Sequence, residues 1–404
     1  MNPSSSGWIN KKLHLQRQGK NLLVGDEHVF YERLRKTGFL YGVSVNTLKK
    51  PENTSSQWTE MEKTKVNLFD ALTYIHRTVM GNTDDLLTNA IAFYNKLSPE
   101  ESFFATAFRR KSPAELLEKI IQERVQTNEA FIQKNFSNLI TNALLFIDVI
   151  AFKHFLIAQR DPQEYLPKLE SIIMNTVWLA LTTKEEKGTY DTLLLNLFEK
   201  SLRYTKNPEK SIKNLDELAF SNFDTVLEKN YIYDLACLAV WDDEKVDPQE
   251  YAFLYKLGEN LELNATAITT STRYVHIFIE EHREQISYLH YSNPVKHFYN
   301  QTIRTVRVLI LRNKKRLILE LSESKELVLL LGQSTLRELS KSEKKKVKTQ
   351  LLDICKSIPS LAIFLLPGGG VLLPLLIKLI PELLPSAFNE NRIEATDHTE
   401  KSRS

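Results

Sequence analysis

Basic side chains are concentrated in one stretch of the chain, residues 304–348. This stretch carries thirteen Lys and Arg and five Glu, a net charge of +8, whereas the whole 404-residue chain has a net charge of +3. Lysine and arginine at this density bind phosphate groups, either of lipid headgroups or of RNA. The alternative is a solvated helix face without a ligand. We predict contact with an anionic surface for Arg312, Lys314, Lys315, Arg316, Lys344, Lys345, Lys346 and Lys348.

A stretch of 21 residues without a formal charge, residues 357–377, follows the basic stretch. As one straight helix it would be ~30 Å long, which matches the hydrocarbon core of a bilayer. Five prolines and the cluster Gly368–Gly370 lie in or just after it. Because proline removes a helical hydrogen bond and glycine disfavours helix, we expect a break near residues 367–370. The two halves then form an apolar helical hairpin that either enters a membrane or is buried in a protein core.

The sequence contains no P-loop, no G-x-G-x-x-G, no G-x-S-x-G and no H-E-x-x-H motif. Its two cysteines, Cys237 and Cys355, are too few for a disulfide framework or a four-cysteine zinc site. Four histidines within 22 residues lack the i, i+4 spacing of a helical metal site; they are His276, His282, His290 and His297. We therefore expect a protein without enzymatic activity, and no cofactor, metal or small-molecule substrate.

Helical signals dominate the elements that must carry these residues. Glycine is scarce, with 12 in 404 residues, against an average near ~7%. Four segments, at 98–101, 112–115, 161–164 and 247–250, combine Ser or Asp, then Pro, then Glu three positions after the first residue. That pattern is typical of a helix N-terminus. We predict an all-α fold, and interpret the apolar residues 138–158 as a buried core helix because charges interrupt them.

A longer pattern covers residues 339–388. It begins with a lead-in of the form Ser/Thr-x-x-Glu followed by two basic residues, and it continues through an apolar stretch to an ending with LPS-x-F. This pattern resembles the membrane segment of the leucine zipper–EF-hand-containing transmembrane (LETM-like) proteins, including shorter bacterial members described as biofilm-associated. The motif positions are Glu343, Lys344, Lys345, Asp353, Pro359, Pro367, Pro374, Lys378, Pro381, Pro385, Ser386 and Phe388.

The resemblance implies a membrane-linked protein. In the mitochondrial members it goes with cation–proton exchange across the inner membrane and with binding to ribosomes. This chain has Gly370 where eukaryotic members carry an acidic residue, which weakens the exchange interpretation. Only residues 389–404 follow the motif, so we do not expect the family's coiled coil and EF-hand.

We therefore expect a bacterial membrane-associated interaction or scaffold protein that contacts anionic lipid headgroups. The alternative is a component of potassium–proton exchange, which would require a homo-oligomer. A further alternative is a ribosome-binding factor that uses the same basic stretch on RNA phosphates, although the family assigns much of its ribosome-binding surface to the region after the motif. The first twenty residues lack the apolar segment of a secretory signal. By the positive-inside rule, the Lys-rich side and the main part of the chain should lie in the cytoplasm, at the inner membrane.

Residues 224–285 resemble, more faintly, the helical domains of TerB-like tellurite-resistance proteins. The shared pattern is a helix, an acidic turn and a capped helix, and its positions are Ala239, Asp242, Asp243, Val246, Asp247, Glu250 and Leu254. The turn does not fit an EF-hand, because Pro248 stands where the calcium loop needs glycine. We interpret these acidic residues as caps of the next helix rather than as metal ligands.

These observations divide the chain into six parts. They are a polar N-terminal arm and loop (1–62), a helical domain (63–215), a TerB-like helical unit (216–290), basic linker helices (291–350), the LETM-like apolar membrane segment (351–388) and a disordered tail (389–404).

Overall fold

The computed structural model describes most of the chain, and its regular elements are helices. No strand occurs among the described residues, which confirms the all-α prediction for that part of the chain. The described residues are 1–18, 25–49, 58–97, 112–126, 144–158, 161–183, 212–241, 248–282, 303, 306–334, 336–358, 361 and 373–384.

Most of the described residues lie in α-helices. In chain order they are α1 (Trp8–Arg17), α2 (Glu27–Thr37), α3 (Glu60–Met80), α4 (Leu86–Leu97), α5 (Pro113–Gln126), α6 (Phe146–Ala158), α7 (Pro162–Thr182), α8 (Val226–Val240), α9 (Pro248–Asn260), α10 (Ala265–His282), α11 (Lys314–Ser322), α12 (Lys325–Gln333), α13 (Lys341–Ser357) and α14 (Leu373–Leu383). Residues 306–312 are also helical, and short 3-10 turns cover Phe39–Tyr41, Leu215–Glu217 and Phe220–Asn222.

Local capping signals set several helix starts. Helix α5 begins at Pro113, after Ser112, whose backbone N–H donates to the Glu115 carboxylate at 2.9 Å. Helix α7 begins at Pro162, and the Asp161 side chain caps it. Helix α9 begins at Pro248. The predicted signal at 98–101 lies outside the described residues, as does the first residue of the signal at 247–250.

Helices α1 to α10 build a first hydrophobic core, and we call residues 1–282 the body. Helix α3 packs against α5 and α6, while α8 packs against α7, α9 and α10. Both central helices start with a capping box, formed by Thr59 and Glu62 in α3 and by Thr225 and Glu228 in α8. The body is therefore organised around two well-capped helices.

Helix α6 confirms the prediction of a buried core helix for the described part of 138–158. Asp148, inside this apolar helix, is fully buried and accepts two hydrogen bonds from the Arg124 guanidinium, at 2.8 and 2.6 Å. Lys153 pairs with Glu27 of α2. Both charges that interrupt the apolar run thus have partners inside the body.

A second buried ion pair joins α2 to α8. The Arg35 guanidinium donates to both carboxylate oxygens of Asp234, at 2.8 and 2.9 Å, and also to the Ser271 hydroxyl. The ring of Tyr31 lies 4.7 Å from the guanidinium carbon. Such a pair fixes the relative position of the helices that carry it, because each charge would be unpaired if the other moved away.

The N-terminal residues differ from the predicted polar arm. Helix α1 is folded, and Trp8 and Ile9 are buried in the core of the body. The Glu118 carboxylate of α5 accepts hydrogen bonds from the backbone N–H groups of Gly7, at 2.9 Å, and Ile9, at 2.8 Å. Because the cap of α1 comes from a residue more than one hundred positions away, local composition does not reveal this helix.

The described residues between 306 and 384 form a second hydrophobic core, and we call this part the bundle. Helix α12 lies at its centre and packs against α11, α13 and α14. Helix α14, from the predicted membrane segment, contributes four buried residues to this core: Leu375, Leu376, Leu379 and Ile380. These four side chains of α14 are therefore covered by protein.

The predicted interruption of the apolar segment falls between α13, which ends at Ser357, and α14, which begins at Leu373. Residues 359–360 and 362–372, including the glycine cluster, lie outside the described residues. Among the residues that are described, no helix combines the length and the apolar character needed to cross a bilayer.

Candidate functional site

The predicted lead-in motif forms the first turn of α13. The Ser340 hydroxyl accepts a hydrogen bond from the backbone N–H of Glu343 at 3.3 Å, and the Glu343 carboxylate accepts one from the backbone N–H of Ser340 at 2.7 Å. This capping box satisfies two N–H groups that the helix itself leaves unpaired. The Ser-x-x-Glu part of the motif thus has a structural role.

Arg337 binds the same carboxylate from the loop before α13. Its two terminal nitrogens donate to the two oxygens of Glu343, at 3.0 and 2.7 Å. The hydrogen bonds from Arg337 and then those from Ser340 lower the pKa of Glu343 to about 2. Glu343 is therefore ionised at neutral pH and neutralises Arg337, so neither residue adds net charge to the surface.

The residues that follow this cap form a lysine face on α13. They lie at positions i, i+3, i+4 and i+7, which share one side of a helix. The side turned to the core carries the buried residues Val347 and Leu351. The lysine face consists of the exposed residues Lys341, Lys344, Lys345 and Lys348.

Three of these four ammonium groups have no acidic partner among the described residues. They are Lys341, Lys345 and Lys348, while Lys344 lies 3.7 Å from Glu338, at the outer limit of an ion pair. An unpaired ammonium group on a surface is available to an anion in solution, and it needs to lose only water to bind one. The lysine face therefore presents a compact positive surface.

Helix α11 carries a second exposed basic group. Lys314, Lys315 and Arg316 are all exposed, and none of them forms an ion pair with another described residue. They occupy the first turn of α11, while Leu317 and Leu321 of the same helix are buried in the core. The core packing of the bundle thus leaves these basic residues at its surface.

Lys346 does not belong to the lysine face, although the sequence grouped it with its neighbours. Its Nζ lies 2.7 Å from Oε1 of Glu326, on α12. The position of Lys346 along α13 turns it about 100° away from Lys345, toward α12. The pair is exposed and links α13 to α12.

Arg312 is also not a surface contact residue as predicted. Its side chain is only 15% exposed, and its Nη1 donates to Oε2 of Glu62 in the body, at 2.6 Å. Glu62 is buried, and it is the acidic member of the capping box of α3. The positive charge of Arg312 is therefore neutralised inside the protein, which composition alone does not show.

The remaining motif residues are spread over the bundle. Asp353 is exposed and pairs with Lys356 at 2.7 Å. Pro374 is the second residue of α14, where a missing N–H costs no hydrogen bond, and Pro381 lies inside that helix. Lys378 is exposed on α14. Five predicted positions lie outside the described residues: Pro359, Pro367, Pro385, Ser386 and Phe388.

The residues tested for metal binding do not come together in the described part of the chain. No group of three or more His, Cys, Asp or Glu side chains there is arranged to hold a metal ion. Glu250 of the predicted acidic turn is buried at the start of α9. The other acidic positions of that turn, Asp242, Asp243 and Asp247, lie outside the described residues.

A cleft of about 530 Å³ opens beside the first turn of α7. Behind it, Glu228 accepts a hydrogen bond from the Tyr165 hydroxyl and lies 2.9 Å from Nε2 of His154. Burial raises the pKa of Glu228, but the hydrogen bonds from His154 and Thr225 lower it more, so the net pKa is below its usual value. Since Glu228 also completes the capping box of α8, this cluster fixes α7 and α6 to α8. The cleft is lined by Asp161, Glu164, Tyr165, Lys168, Ser221, Asn222, Phe223 and Asp224.

The residue that sequence reasoning missed here is Glu62. One local signal was available, because Thr59 and Glu62 have the spacing of a capping box and predict the start of α3. No local signal indicates that the same carboxylate binds Arg312, since 250 positions separate the two residues. Contacts of this kind follow only from the packing of the bundle against the body.

The C-terminal part of the chain, which includes α13 and α14, matches a known protein family. Residues 339–404 match the family described as "LETM1-like, RBD", a ribosome-binding domain. The match includes α13 with its lysine face and α14, and it does not extend to residues 224–285. No curated protein and no solved structure matches the chain. The C-terminal part of the chain is therefore similar to the ribosome-binding domain of LETM1-like proteins, which confirms the predicted family resemblance at this level.

Proposed function

We propose that this protein is a non-enzymatic ribosome-binding protein, and that the bundle contacts phosphates of ribosomal RNA. The observation that carries the proposal is the position of the lysine face. Lys341, Lys344, Lys345 and Lys348 all lie inside the segment that matches the ribosome-binding family. A compact row of exposed lysines on one helix, three of them without an acidic partner among the described residues, is suited to a phosphate backbone.

The chemistry of this surface favours phosphate contact over base reading. Lysine acts as a point charge, whereas specific contacts with guanine are made most often by the planar arginine fork. Arg337, in the loop before α13, is held by Glu343. We therefore expect binding that depends little on RNA sequence and strongly on salt.

Helix α11 extends the proposed contact surface. Lys314, Lys315 and Arg316 add three exposed charges to the same bundle. Each neutralised phosphate contributes about −0.7 to −0.9 to the slope of log affinity against log salt. A contact that uses both groups of residues should therefore show a steep salt dependence.

The test is co-sedimentation of the full chain with ribosomes at several potassium chloride concentrations. The variant Lys341→Glu, Lys345→Glu, Lys348→Glu should lose at least about tenfold in affinity and show a shallower salt slope. A matched control, Lys11→Glu, Lys168→Glu, Lys213→Glu, makes the same charge change at exposed positions of the body. Equal losses in both variants would mean that only net charge matters, and no loss in either would refute the proposed surface.

Contact with an anionic membrane is a second candidate function, and one observation favours it. Leu311 and Leu319 are 46% and 65% exposed, and they lie four residues before and after Lys315. Exposed leucines interleaved with basic residues are typical of surfaces that lie at a lipid interface. Together with the predicted membrane segment, this supports a proposal of peripheral or inserted attachment at the inner membrane. Cation–proton exchange stays a prediction of the family resemblance alone.

Flotation with vesicles tests the second candidate. Full-length protein should float with vesicles containing phosphatidylserine, and Leu311→Gln, Leu319→Gln should reduce the floating fraction without changing ribosome binding. If the protein fails to float with anionic vesicles and also fails to float with membranes from cells, the membrane candidate is wrong.

A further inference from the structure

One contact joins a charged residue of the bundle to a buried carboxylate of the body. Arg312 lies at the end of the helical residues 306–312, and its Nη1 donates to Oε2 of Glu62 at 2.6 Å. Glu62 is 1% exposed. The contact therefore ties the surface that carries Lys314, Lys315 and Arg316 to the interior of the other core.

The Glu62 carboxylate accepts three other hydrogen bonds besides the one from Arg312. Its Oε1 accepts from the Ser4 hydroxyl at 2.6 Å, and its Oε2 accepts from the backbone N–H of Thr59 at 2.9 Å and from the Thr59 hydroxyl at 3.2 Å. A carboxylate with three donors remains satisfied when a fourth leaves. The body thus keeps its capping box and its contact with Ser4 if the bundle moves away.

Arg312, in contrast, is poorly satisfied where it lies. Its Nε and Nη2 are buried and have no hydrogen-bond partner in the described part of the chain. Glu62 uses only one of the guanidinium nitrogens, although the guanidinium group is built to donate two parallel hydrogen bonds to a carboxylate or a phosphate. Arg312 therefore gains hydrogen bonds by leaving Glu62 for water, and gains more by binding a phosphate.

We propose that the contact between Arg312 and Glu62 is an autoinhibitory latch on the basic surface of the bundle. In the closed state, Glu62 holds Arg312 away from Lys314, Lys315 and Arg316. A phosphate-rich partner opens the latch by taking Arg312, which adds a fourth basic group to the α11 surface. The identification of this partner as ribosomal RNA rests on the proposed ribosome binding. The latch itself does not depend on that proposal.

Hydrogen–deuterium exchange of the full chain measures the latch without any partner. Glu62→Gln removes the charge but keeps a residue that capping boxes accept, and Arg312→Gln breaks the contact from the other side without touching α3. Both variants should exchange faster than wild type in peptides covering 306–312, whereas peptides covering Ser4 should exchange as in wild type after Arg312→Gln, because Ser4 keeps its bond to Glu62. Exchange unchanged in both variants would overturn the latch, and faster exchange confined to the first turn of α3 would mean that Glu62→Gln only weakens the cap.

Ribosome co-sedimentation then measures autoinhibition. Glu62→Gln should bind about fivefold more tightly than wild type, the lower end of typical coupling between two sites. The matched control is Glu326→Gln, which makes the same charge change and frees Lys346 in the bundle. A gain no larger than that of the control would overturn autoinhibition.

The two failures can be told apart. If neither wild type nor Glu62→Gln binds ribosomes, the proposed function is wrong, whatever the exchange experiment shows. If wild type binds and Glu62→Gln binds no better, the proposed function stands and the latch has no regulatory role.

Discussion

The body and the bundle differ in where their ion pairs lie, because buried ion pairs occur within the body whereas the described ion pairs within the bundle lie at its surface. In the body, the ion pair between Arg35 and Asp234 is buried and joins α2 to α8 across the core. In the bundle, pairs such as Lys346–Glu326 lie at the surface, next to lysines without partners. Buried pairs fix a structure because breaking one leaves an isolated charge, whereas exposed charges remain available to a partner. The comparison teaches that buried charge in the body holds the fold, whereas the exposed charge of the bundle is what the proposed binding surface uses.

The chain provides separate probes for the two regions. All four tryptophans, at positions 8, 58, 178 and 241, lie in the body, so tryptophan fluorescence follows the body alone. Each core also holds one buried thiol, Cys237 in the body and Cys355 in the bundle. Burial raises the pKa of Cys355 to about 12, and it raises the pKa of Cys237 further. The rate at which each thiol is alkylated therefore measures the opening of its own core.

The largest effect is expected from breaking a buried pair of the body. Asp234→Ala leaves the Arg35 guanidinium buried without its carboxylate, and we expect a loss of about 3–5 kcal/mol in the free energy of unfolding. Urea unfolding followed by tryptophan fluorescence measures this loss. The double variant Arg35→Met, Asp234→Leu should be clearly more stable than the single one, since it leaves no isolated charge. A single variant as stable as wild type would contradict the role assigned to buried pairs.

Local signals predicted some elements well, and distant contacts explain where prediction failed. The starts of α5 and α7 follow from Ser112 and Asp161, because a cap acts within one turn of its own helix. The fold of α1 depends on Glu118, which lies more than one hundred positions away. Composition alone therefore predicted a polar arm where the structure has a packed helix.

The candidate site shows the same division. The lysine face of α13 was predictable, because the spacing of its residues and the buried side of the helix both follow from the local sequence. Arg312 was placed on the same surface by composition, yet Glu62 neutralises it from a position 250 residues earlier. Local charge density thus identifies a basic helix, but only the packing of helices shows which charges are already paired.

A medium effect is expected from removing the cap of α13. Ser340→Ala should destabilise the bundle by about 1 kcal/mol, the usual value of an N-cap hydroxyl, which corresponds to roughly fivefold faster alkylation of Cys355. Cys237 should react as in wild type. The control Thr349→Ala removes a hydroxyl from the same helix without touching its cap. Acceleration at both cysteines would show that the two cores open together, and the separation of body and bundle would then be wrong.

Acid should affect the same cap through Glu343. Its pKa in the folded protein is about 2, below the usual 4.5, because Arg337 and Ser340 donate hydrogen bonds to the ionised form. The stabilisation by Glu343 is therefore complete above pH 4.5 and is lost as the pH falls from there toward 2. Glu343→Gln should remove this part of the pH dependence. Amide exchange of peptides from α13, corrected for the intrinsic effect of pH, measures the difference.

The pKa of Asp70, in the body, is shifted in the opposite direction to that of Glu343. Burial raises its pKa, although Lys12 lowers it in part, so the folded state disfavours its ionised form. The contribution of Asp70 to stability is therefore lost as the pH rises through its pKa in the folded protein, whereas the contribution of Glu343 is lost as the pH falls. If Glu343→Gln leaves the pH dependence of amide exchange in α13 unchanged, the two hydrogen bonds from Arg337 to Glu343 do not form in solution.

The smallest effect is expected from an exposed pair of the bundle. Glu326→Gln breaks the contact with Lys346, but both side chains are more than half exposed, so water replaces the lost partner. We expect no measurable change in the alkylation of Cys355 or in the unfolding of the body. Acceleration at Cys355 comparable to that of Ser340→Ala would mean that surface pairs hold α13 against α12. The charges of the bundle would then stabilise its fold as those of the body do, and the division between structural and binding charge would fail.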